Sequence, residues 1–194
     1  TRGGLRPEVR ALRAVAAMMV VLYHLWPGRL PGGFAGVDVF FVISGYLITS
    51  HLMREADRTG TIRLAQFWAR RVRRLLPAAF LVLIASALAA FLWLPKALWT
   101  DTFGQIIASA LYFQNWQLAL SSVDYLAAEN DATMVQHYWT LSVEEQFYIV
   151  WPLIILVAIW VAHRLRVKQR SLVIPVVAMV TVASFAYSVW WTGQ

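Results

Sequence analysis

The sequence predicts an all-α integral membrane protein, a polytopic helical bundle with five to six membrane segments. Two topologies fit the sequence, and in one of them a segment is re-entrant. Of its 194 residues, 60% are apolar or aromatic and 14% are charged, which is more apolar surface than a soluble domain of this length can bury. Several stretches of about 20 residues are nearly free of charge, enough to cross ~30 Å of hydrocarbon. The basic residues, most of them arginine, cluster between these stretches, which is typical of cytoplasmic membrane edges and not of nucleic-acid binding.

The first two segments come before the main basic stretch. Residues 11–26 are apolar except for Arg13 and His24. Because no cleavage pattern of small residues follows, we expect a retained anchor helix with the N-terminus in the cytoplasm. The second segment, residues 34–53, has Asp38 as its only charge.

The later segments leave two topologies open. We place the arginine-rich stretch 54–74 in the cytoplasm, and residues 75–94 are the clearest span. A fourth segment at 102–120 carries amide side chains that are costly in lipid without partners, and the fifth and sixth follow at 141–162 and 172–191. Basic residues after the fifth segment conflict with six full crossings. A re-entrant fourth segment, which leaves loop 121–136 outside, removes the conflict, and we favour it over an exception to the charge rule.

Arg13 and His24 lie on one face of the first segment. Eleven residues at 100° each make three turns plus about 20°, and a rise of 1.5 Å per residue separates them by about 16 Å along the axis. Ionisable side chains at such depth usually line a cavity or meet partners. Alternatively, Arg13 reaches the cytoplasmic headgroups and His24 lies at the outer interface.

Asp38 is the predicted partner of His24. It follows the turn after the first segment, so we expect the two side chains at the same end of adjacent antiparallel helices. A carboxylate there can orient an imidazole and stabilise its charged form. The alternative is an acid favoured at a helix N-terminus by the macrodipole.

Two further groups are candidates for substrate contact. Arginines at 70–74 match the geometry of phosphate and pyrophosphate, although anchoring by anionic lipid is an alternative. At 137–148, His137 begins a run of polar and aromatic residues in which Glu144 and Tyr148 share one helix face. Glu145 points about 100° away, so one carboxylate faces the bundle and the other faces headgroups or water, unless both serve only the helix dipole. Without cysteine or a His-x3-His spacing, no metal site is predicted.

Four ordered motifs resemble the membrane acyltransferase family 3, which includes the OafA-like O-acetyltransferases of bacterial cell envelopes. They are Arg13 with His24, GVDVFFVISGYLIT at 36–49, FWARRVRRLLPA at 67–78 and HYWTLSVEEQFYIVWP at 137–152. The stretch 115–129, with SVDYLAAE, resembles members that carry an extracytoplasmic SGNH-type esterase-fold domain. Since family members have more helices than this chain, residues 1–194 resemble an incomplete N-terminal portion of the membrane acyltransferase domain.

The resemblance implies transfer of an acyl group, usually acetyl from acetyl-CoA, to a hydroxyl of a cell-surface glycan or glycolipid at the bacterial inner membrane, without a permanently bound cofactor. It places the arginine–histidine pattern of the family on Arg13 and His24, and its glutamate on Glu144. Its arginine pair falls on Arg71 and Arg74, although Arg70 and Arg73 fit the same spacing.

These inferences predict a mechanism. Arg71 and Arg74 hold the CoA phosphates, and His24 takes a proton from the sugar hydroxyl or carries the acyl group itself. Asp38 or Glu144 then fixes the tautomer of His24. The expected partners are acyl-CoA, the glycan acceptor, membrane lipid, and either a C-terminal half or an esterase-like domain.

Two other functions fit intramembrane charges. One is a carrier or flippase for an anionic lipid-linked sugar. The other is an inactive half that works only with a partner chain. Transfer of labelled acetyl groups to glycan distinguishes an enzyme from both.

Overall fold

A computed structural model describes residues 7–26, 28–29, 31–121 and 133–193, and every regular element in them is helical. The elements are α1 (Pro7–Leu25), α2 (Ala35–Thr59), α3 (Leu64–Trp93), a 3₁₀ turn (Lys96–Leu98), α4 (Trp99–Ala110), α5 (Gln114–Ser121), α6 (Tyr138–Arg164) and α7 (Gln169–Thr192). The predicted fold class, a polytopic helical membrane protein, is confirmed. The SVDYLAAE motif and most of loop 121–136 lie outside the described residues.

Among the described residues, four helices, α2, α3, α6 and α7, are long and apolar enough to cross a membrane, where the sequence predicted five to six segments. Two segments account for the difference. Helix α1 has 19 residues but carries Glu8, Arg10 and Arg13 in its first two turns. The predicted fourth segment is divided, and its first part, α4, is about 18 Å long at 1.5 Å per residue, which is too short for ~30 Å of hydrocarbon.

The division of the fourth segment occurs at Tyr112, which adopts a left-handed backbone conformation with φ 56°. Such a residue ends an α-helix, and the Phe113 N–H closes the end by donating to the Ala108 carbonyl at 2.7 Å. Gln114 of α5 then donates from Nε2 to Gln105 Oε1 of α4 at 2.8 Å. The fourth segment therefore does not form one continuous crossing helix, and its re-entrant course stays a prediction.

The arginine-rich stretch is helical over most of its length, although the sequence suggested a polar connection. Helix α2 continues to Thr59 and ends at Gly60, whose φ of +75° suits glycine. Helix α3 begins four residues later at Leu64. The arginines therefore occupy fixed angular positions on helices, which gives each of them different surroundings.

The chain divides into two compact units, and the first contains the described residues up to Ile48 together with Ala65–Tyr148. Within it, α3 and the first part of α6 pack antiparallel. The Trp68 indole donates to the Tyr148 carbonyl at 3.0 Å, and the Tyr138 hydroxyl donates to the Ala79 carbonyl at 2.9 Å. Buried side chains from α3, α4, the start of α6 and the turn before α6 form its core, namely Ala79, Leu83, Ile106, Val135 and Tyr138.

The second unit contains Thr49–Leu64 and the residues from Ile149 onward. Its core includes Leu52, Ile155 and Ile159, each at most 1% exposed. The Trp151 indole N–H donates to Thr49 Oγ1 at 2.8 Å. Most of α7 is exposed, and its apolar outer surface suits contact with lipid.

Helices α1 and α2 approach closely at Gly36. A Cβ atom there would lie 2.5 Å from the Ala16 carbonyl oxygen and 2.9 Å from Val20 Cγ2, so no larger residue fits without displacing a backbone. Gly45, in the motif at 36–49, has more room because the nearest atom to its Cβ position is Phe147 Cζ at 4.0 Å. Gly36, and not Gly45, therefore carries the close helix contact.

Replacing Gly36 with alanine is expected to destabilise the protein by about 1–3 kcal/mol, because overpacking forces α1 away from α2. The matched control is Gly45→Ala, which should be neutral or slightly stabilising since alanine is the better helix former. The midpoint of thermal unfolding of each detergent-solubilised variant is measured by size-exclusion chromatography, which gives the amount of folded protein left after heating. Equal midpoints for the two variants would contradict the close contact.

Candidate active site

A cluster of polar side chains lies where α2, α3 and α6 meet in the first unit. Glu144 of α6 accepts hydrogen bonds at Oε1 from Ser44 Oγ of α2, at 2.7 Å, and from the Tyr148 hydroxyl one turn along α6. Tyr148 is 4% exposed. The spacing of four residues brings Glu144 and Tyr148 to one face, as the sequence predicted, and the two donors hold the carboxylate in one orientation.

Arg71 completes the cluster from α3. Its Cζ lies 3.2 Å from the centroid of the Tyr148 ring, and its Nη2 donates to Glu145 Oε1 at 2.9 Å. The guanidinium is therefore held by a carboxylate on one side and an aromatic face on the other. Its Nε is buried and has no hydrogen-bond partner among the described residues, so one donor of this fixed group is not used.

Both carboxylates at the start of α6 face other helices. The sequence predicted that one would face the bundle and the other headgroups or water, and this is wrong for the described structure. The side chain of Glu145 is 18% exposed and pairs with Arg71, while Glu144 contacts Ser44 of α2. The reason is that α6 has neighbours on two sides, so a rotation of 100° between consecutive residues leads from one helix to another.

His24 lies at the exposed end of α1, and its Nδ1–H donates to the Val20 carbonyl oxygen at 2.8 Å. A carbonyl oxygen can only accept, so Nδ1 carries the proton and Nε2 of the neutral ring holds the lone pair. Among the described residues, the backbone of its own helix thus sets its tautomer. Arg13, also exposed, lies with its Cζ 6.0 Å from the Phe40 ring centroid.

Asp38 is not brought to His24. The close packing of Gly36 against Ala16 sets the register of α1 and α2, and Asp38 is two residues further along α2, level with the middle of α1. His24 follows Ala16 by eight residues, or about 12 Å along the axis. The two helices thus overlap further than the sequence suggested, because α2 starts beside the centre of α1.

The remaining candidates lie outside the cluster. Arg74 is exposed on α3, whereas Arg71 of the same motif faces inward. Exposed Arg73 donates from Nε to a carbonyl of its own helix, that of Ala69, at 3.2 Å. His137 borders a largely apolar cavity of about 300 Å³ between α3 and the start of α6. The cavity is lined by Leu75, Ala78, Ala79, Val82, His137, Tyr138, Thr140 and Leu141.

Sequence reasoning missed three contributors to this region, Ser44, Glu145 as a partner of Arg71, and Gln146. Ser44 could have been found as the hydroxyl that interrupts the apolar run Val39–Ile43 of the second segment. The amides of the fourth segment were expected to need partners, and Gln146 of α6 is the partner of Asn115. The resemblance placed the arginine pair on Arg71 and Arg74, but the spacing also fitted Arg70 and Arg73, and only the structure shows that Arg71 turns inward.

A family model described as an acyltransferase domain matches residues 6–194. The chain is 38% identical over 158 residues to the peptidoglycan O-acetyltransferase OatA of Listeria monocytogenes, which is 81% of this chain and 25% of the relative. It is 42% identical over 169 residues to a putative O-acetyltransferase of Staphylococcus aureus, which is 84% of this chain and 26% of the relative.

The putative peptidoglycan O-acetyltransferase YrhL of Bacillus subtilis is 35% identical over 178 residues, covering 92% of this chain and 27% of the relative. The chain thus spans about a quarter of the length of these curated relatives. No solved structure matches it.

Proposed function

This chain belongs to the acyltransferase family that the domain model describes, and from that membership we propose that it forms membrane helices of an O-acetyltransferase for a cell-wall glycan. The observation that carries the proposal is the cluster of Arg71, Glu145, Tyr148 and Glu144, contributed by the first unit. A cation held between a carboxylate and an aromatic ring inside a membrane bundle marks a functional site. We infer that this site serves the acyl transfer that the domain model describes.

The acceptor is proposed from the relatives. Those of Listeria monocytogenes and Bacillus subtilis are named as peptidoglycan O-acetyltransferases, the latter as a putative one. Identities of 38% and 35% over most of this chain support a related acceptor. We therefore propose that the hydroxyl acetylated here belongs to peptidoglycan.

The proposed donor is acetyl-CoA. Its phosphates would meet the arginines at the start of α3, where Arg71 keeps a buried N–H unused and Arg74 is accessible. Guanidinium groups bind phosphate oxygens through paired hydrogen bonds. We infer that the start of α3 lies at the cytoplasmic face of the inner membrane, in agreement with the positive-inside rule. A cytoplasmic N-terminus then requires that α1 cross the membrane as well as α2.

His24 is proposed as the group that handles the proton. The glycan hydroxyl oxygen bonds to the acetyl carbonyl carbon, the carbon–sulfur bond of the thioester breaks, and the hydroxyl proton moves to Nε2 and then to the CoA thiolate. If His24 carries the acetyl group, Nε2 bonds to the acetyl carbonyl carbon and CoA leaves as its thiolate. The glycan hydroxyl oxygen then bonds to the same carbon, the carbon–nitrogen bond breaks, and the hydroxyl proton moves to the CoA thiolate. Both routes use Nε2, and the hydrogen bond from Nδ1–H to Val20 selects the neutral tautomer in which Nε2 holds the lone pair.

The test uses membranes that contain the full-length protein, acetyl-CoA labelled in the acetyl group, and peptidoglycan strands. We expect label to appear on glycan and to be released by mild base, as ester-linked acetate is. The same membranes given acetyl phosphate control for the donor. If no label reaches the glycan and the protein instead moves a lipid-linked sugar across the membrane, the protein is a carrier and not an acetyltransferase.

A further inference from the structure

Gln146 of α6 joins the broken fourth segment to the helix that carries Glu144 and Glu145. Its Nε2 donates to the Tyr112 carbonyl at 2.8 Å and to Asn115 Oδ1 at 2.9 Å. Its Oε1 accepts from Asn115 Nδ2 at 3.2 Å and from the Trp116 indole at 3.3 Å. A primary amide has two N–H donors and two acceptor lone pairs, so this side chain is fully engaged.

The contacts lie where the chain breaks between α4 and α5. Tyr112 has its carbonyl at the left-handed turn that ends α4, and a carbonyl in such a place cannot be satisfied by the next helical turn. Gln146 satisfies it from another helix.

Three consecutive residues of α6 therefore bind three different elements. Glu144 accepts from Ser44 of α2, Glu145 accepts from Arg71 of α3, and Gln146 pairs with the α4–α5 turn. Consecutive side chains are 100° apart, so a rotation of α6 would move all three at once. Gln146 projects about 160° from Glu144 and about 100° from Glu145, so its amide pairing resists that rotation from a third direction.

We propose that Gln146 is a positioning residue, which fixes the α4–α5 turn against α6 and thereby sets the rotation at which Glu144 and Glu145 meet α2 and α3. Part of this inference rests on the proposed function, since its first readout is acetyl transfer. Gln146 itself needs no contact with substrate. It acts through the orientation of Arg71 and its partners.

The first test compares Gln146→Leu with a double variant in which the amide residues at 146 and 115 are exchanged, here called the swapped pair, in the full-length protein. We expect Gln146→Leu to lower kcat about 10- to 100-fold, as small misplacements of catalytic groups do, with the KM for acetyl-CoA nearly unchanged. Asn115→Leu should behave alike because it removes the same pair. The double variant Gln146→Asn with Asn115→Gln keeps the combined length of the two amides and should recover most of the activity. Gln169→Leu, an amide in the second unit, is the matched control.

Rates are divided by the amount of folded protein in the membrane. A loss of protein with unchanged rate per molecule, or a swapped pair as slow as the single variants, would overturn the inference. If Gln146→Leu gives no folded protein in the membrane, the comparison of Asn115→Leu with the swapped pair tests the inference in the same way.

A second readout is independent of acetyl transfer. The stability coupling between Arg71 and Glu145, from a thermal double-mutant cycle, should shrink in the Gln146→Leu background and return in the swapped background. An unchanged coupling would refute the positioning role even in a protein without acetyltransferase activity. Wild-type membranes that transfer no label would refute only the proposed function.

Discussion

Replacing His24 with alanine is expected to lower acetyl transfer by about two to four orders of magnitude, the usual contribution of a general base. The Nδ1–H of His24 donates to the Val20 carbonyl, and this leaves Nε2 able to accept a proton or an acetyl group. Alanine removes that nitrogen without touching the helix contacts at Ala16 and Gly36. Protein amount and thermal stability should therefore match the wild type.

The measurement is label transfer from acetyl-CoA to peptidoglycan by membranes that contain the full-length protein. His163→Ala is the matched control, because His163 is an exposed histidine near the end of α6 in the second unit, and its rate should stay near that of the wild type. Transfer by His24→Ala at the wild-type rate would remove His24 from the mechanism.

Replacing Arg71 with alanine is expected to damage both stability and donor binding. Glu145 would keep a largely buried carboxylate without its partner, and Tyr148 would lose the guanidinium over its ring. We expect a stability loss of about 1–3 kcal/mol, less than for a fully buried pair because both side chains keep some exposure. The KM for acetyl-CoA should rise about 10- to 100-fold, since hydrogen bonds to charged groups contribute about 1.5–3 kcal/mol.

Two further variants separate these effects. Arg73→Ala removes an exposed arginine that bonds to its own helix, so it controls for positive charge at the membrane edge and should change neither quantity. Arg71→Ala combined with Glu145→Gln leaves no unpaired charge and should recover stability without recovering donor binding. A KM that rises equally in Arg71→Ala and Arg73→Ala would show that the run of arginines attracts the donor only by its charge.

Periodicity along one helix was readable from the sequence. The spacing of Glu144 and Tyr148 predicted a shared face, and the structure confirms it because i and i+4 positions are neighbours on any α-helix. The apolar runs likewise predicted membrane helices at α2, α3, α6 and α7, since length and charge alone decide whether a segment can cross hydrocarbon. Family membership was also predicted from motifs within single helices, and it is confirmed.

Relations between helices were not readable in this way. A run of four arginines offers four angular positions, and packing of α3 against α6 decided that Arg71 is the one that meets Glu145. The left-handed turn at Tyr112 and the amides of Gln146 and Asn115 divided a segment that composition alone would let pass as one helix.

What the sequence by itself determined is the membrane fold, the family and the residue types of the site, because hydrophobic length and local spacing are properties of the chain. The tertiary structure decided the pairing: Arg71 with Glu145, Glu144 with Ser44, and His24 with its own backbone instead of Asp38. The physical reason is that helix rotation and register are set by contacts such as Gly36 against Ala16. Such contacts join residues whose separation along the chain carries no periodic signal.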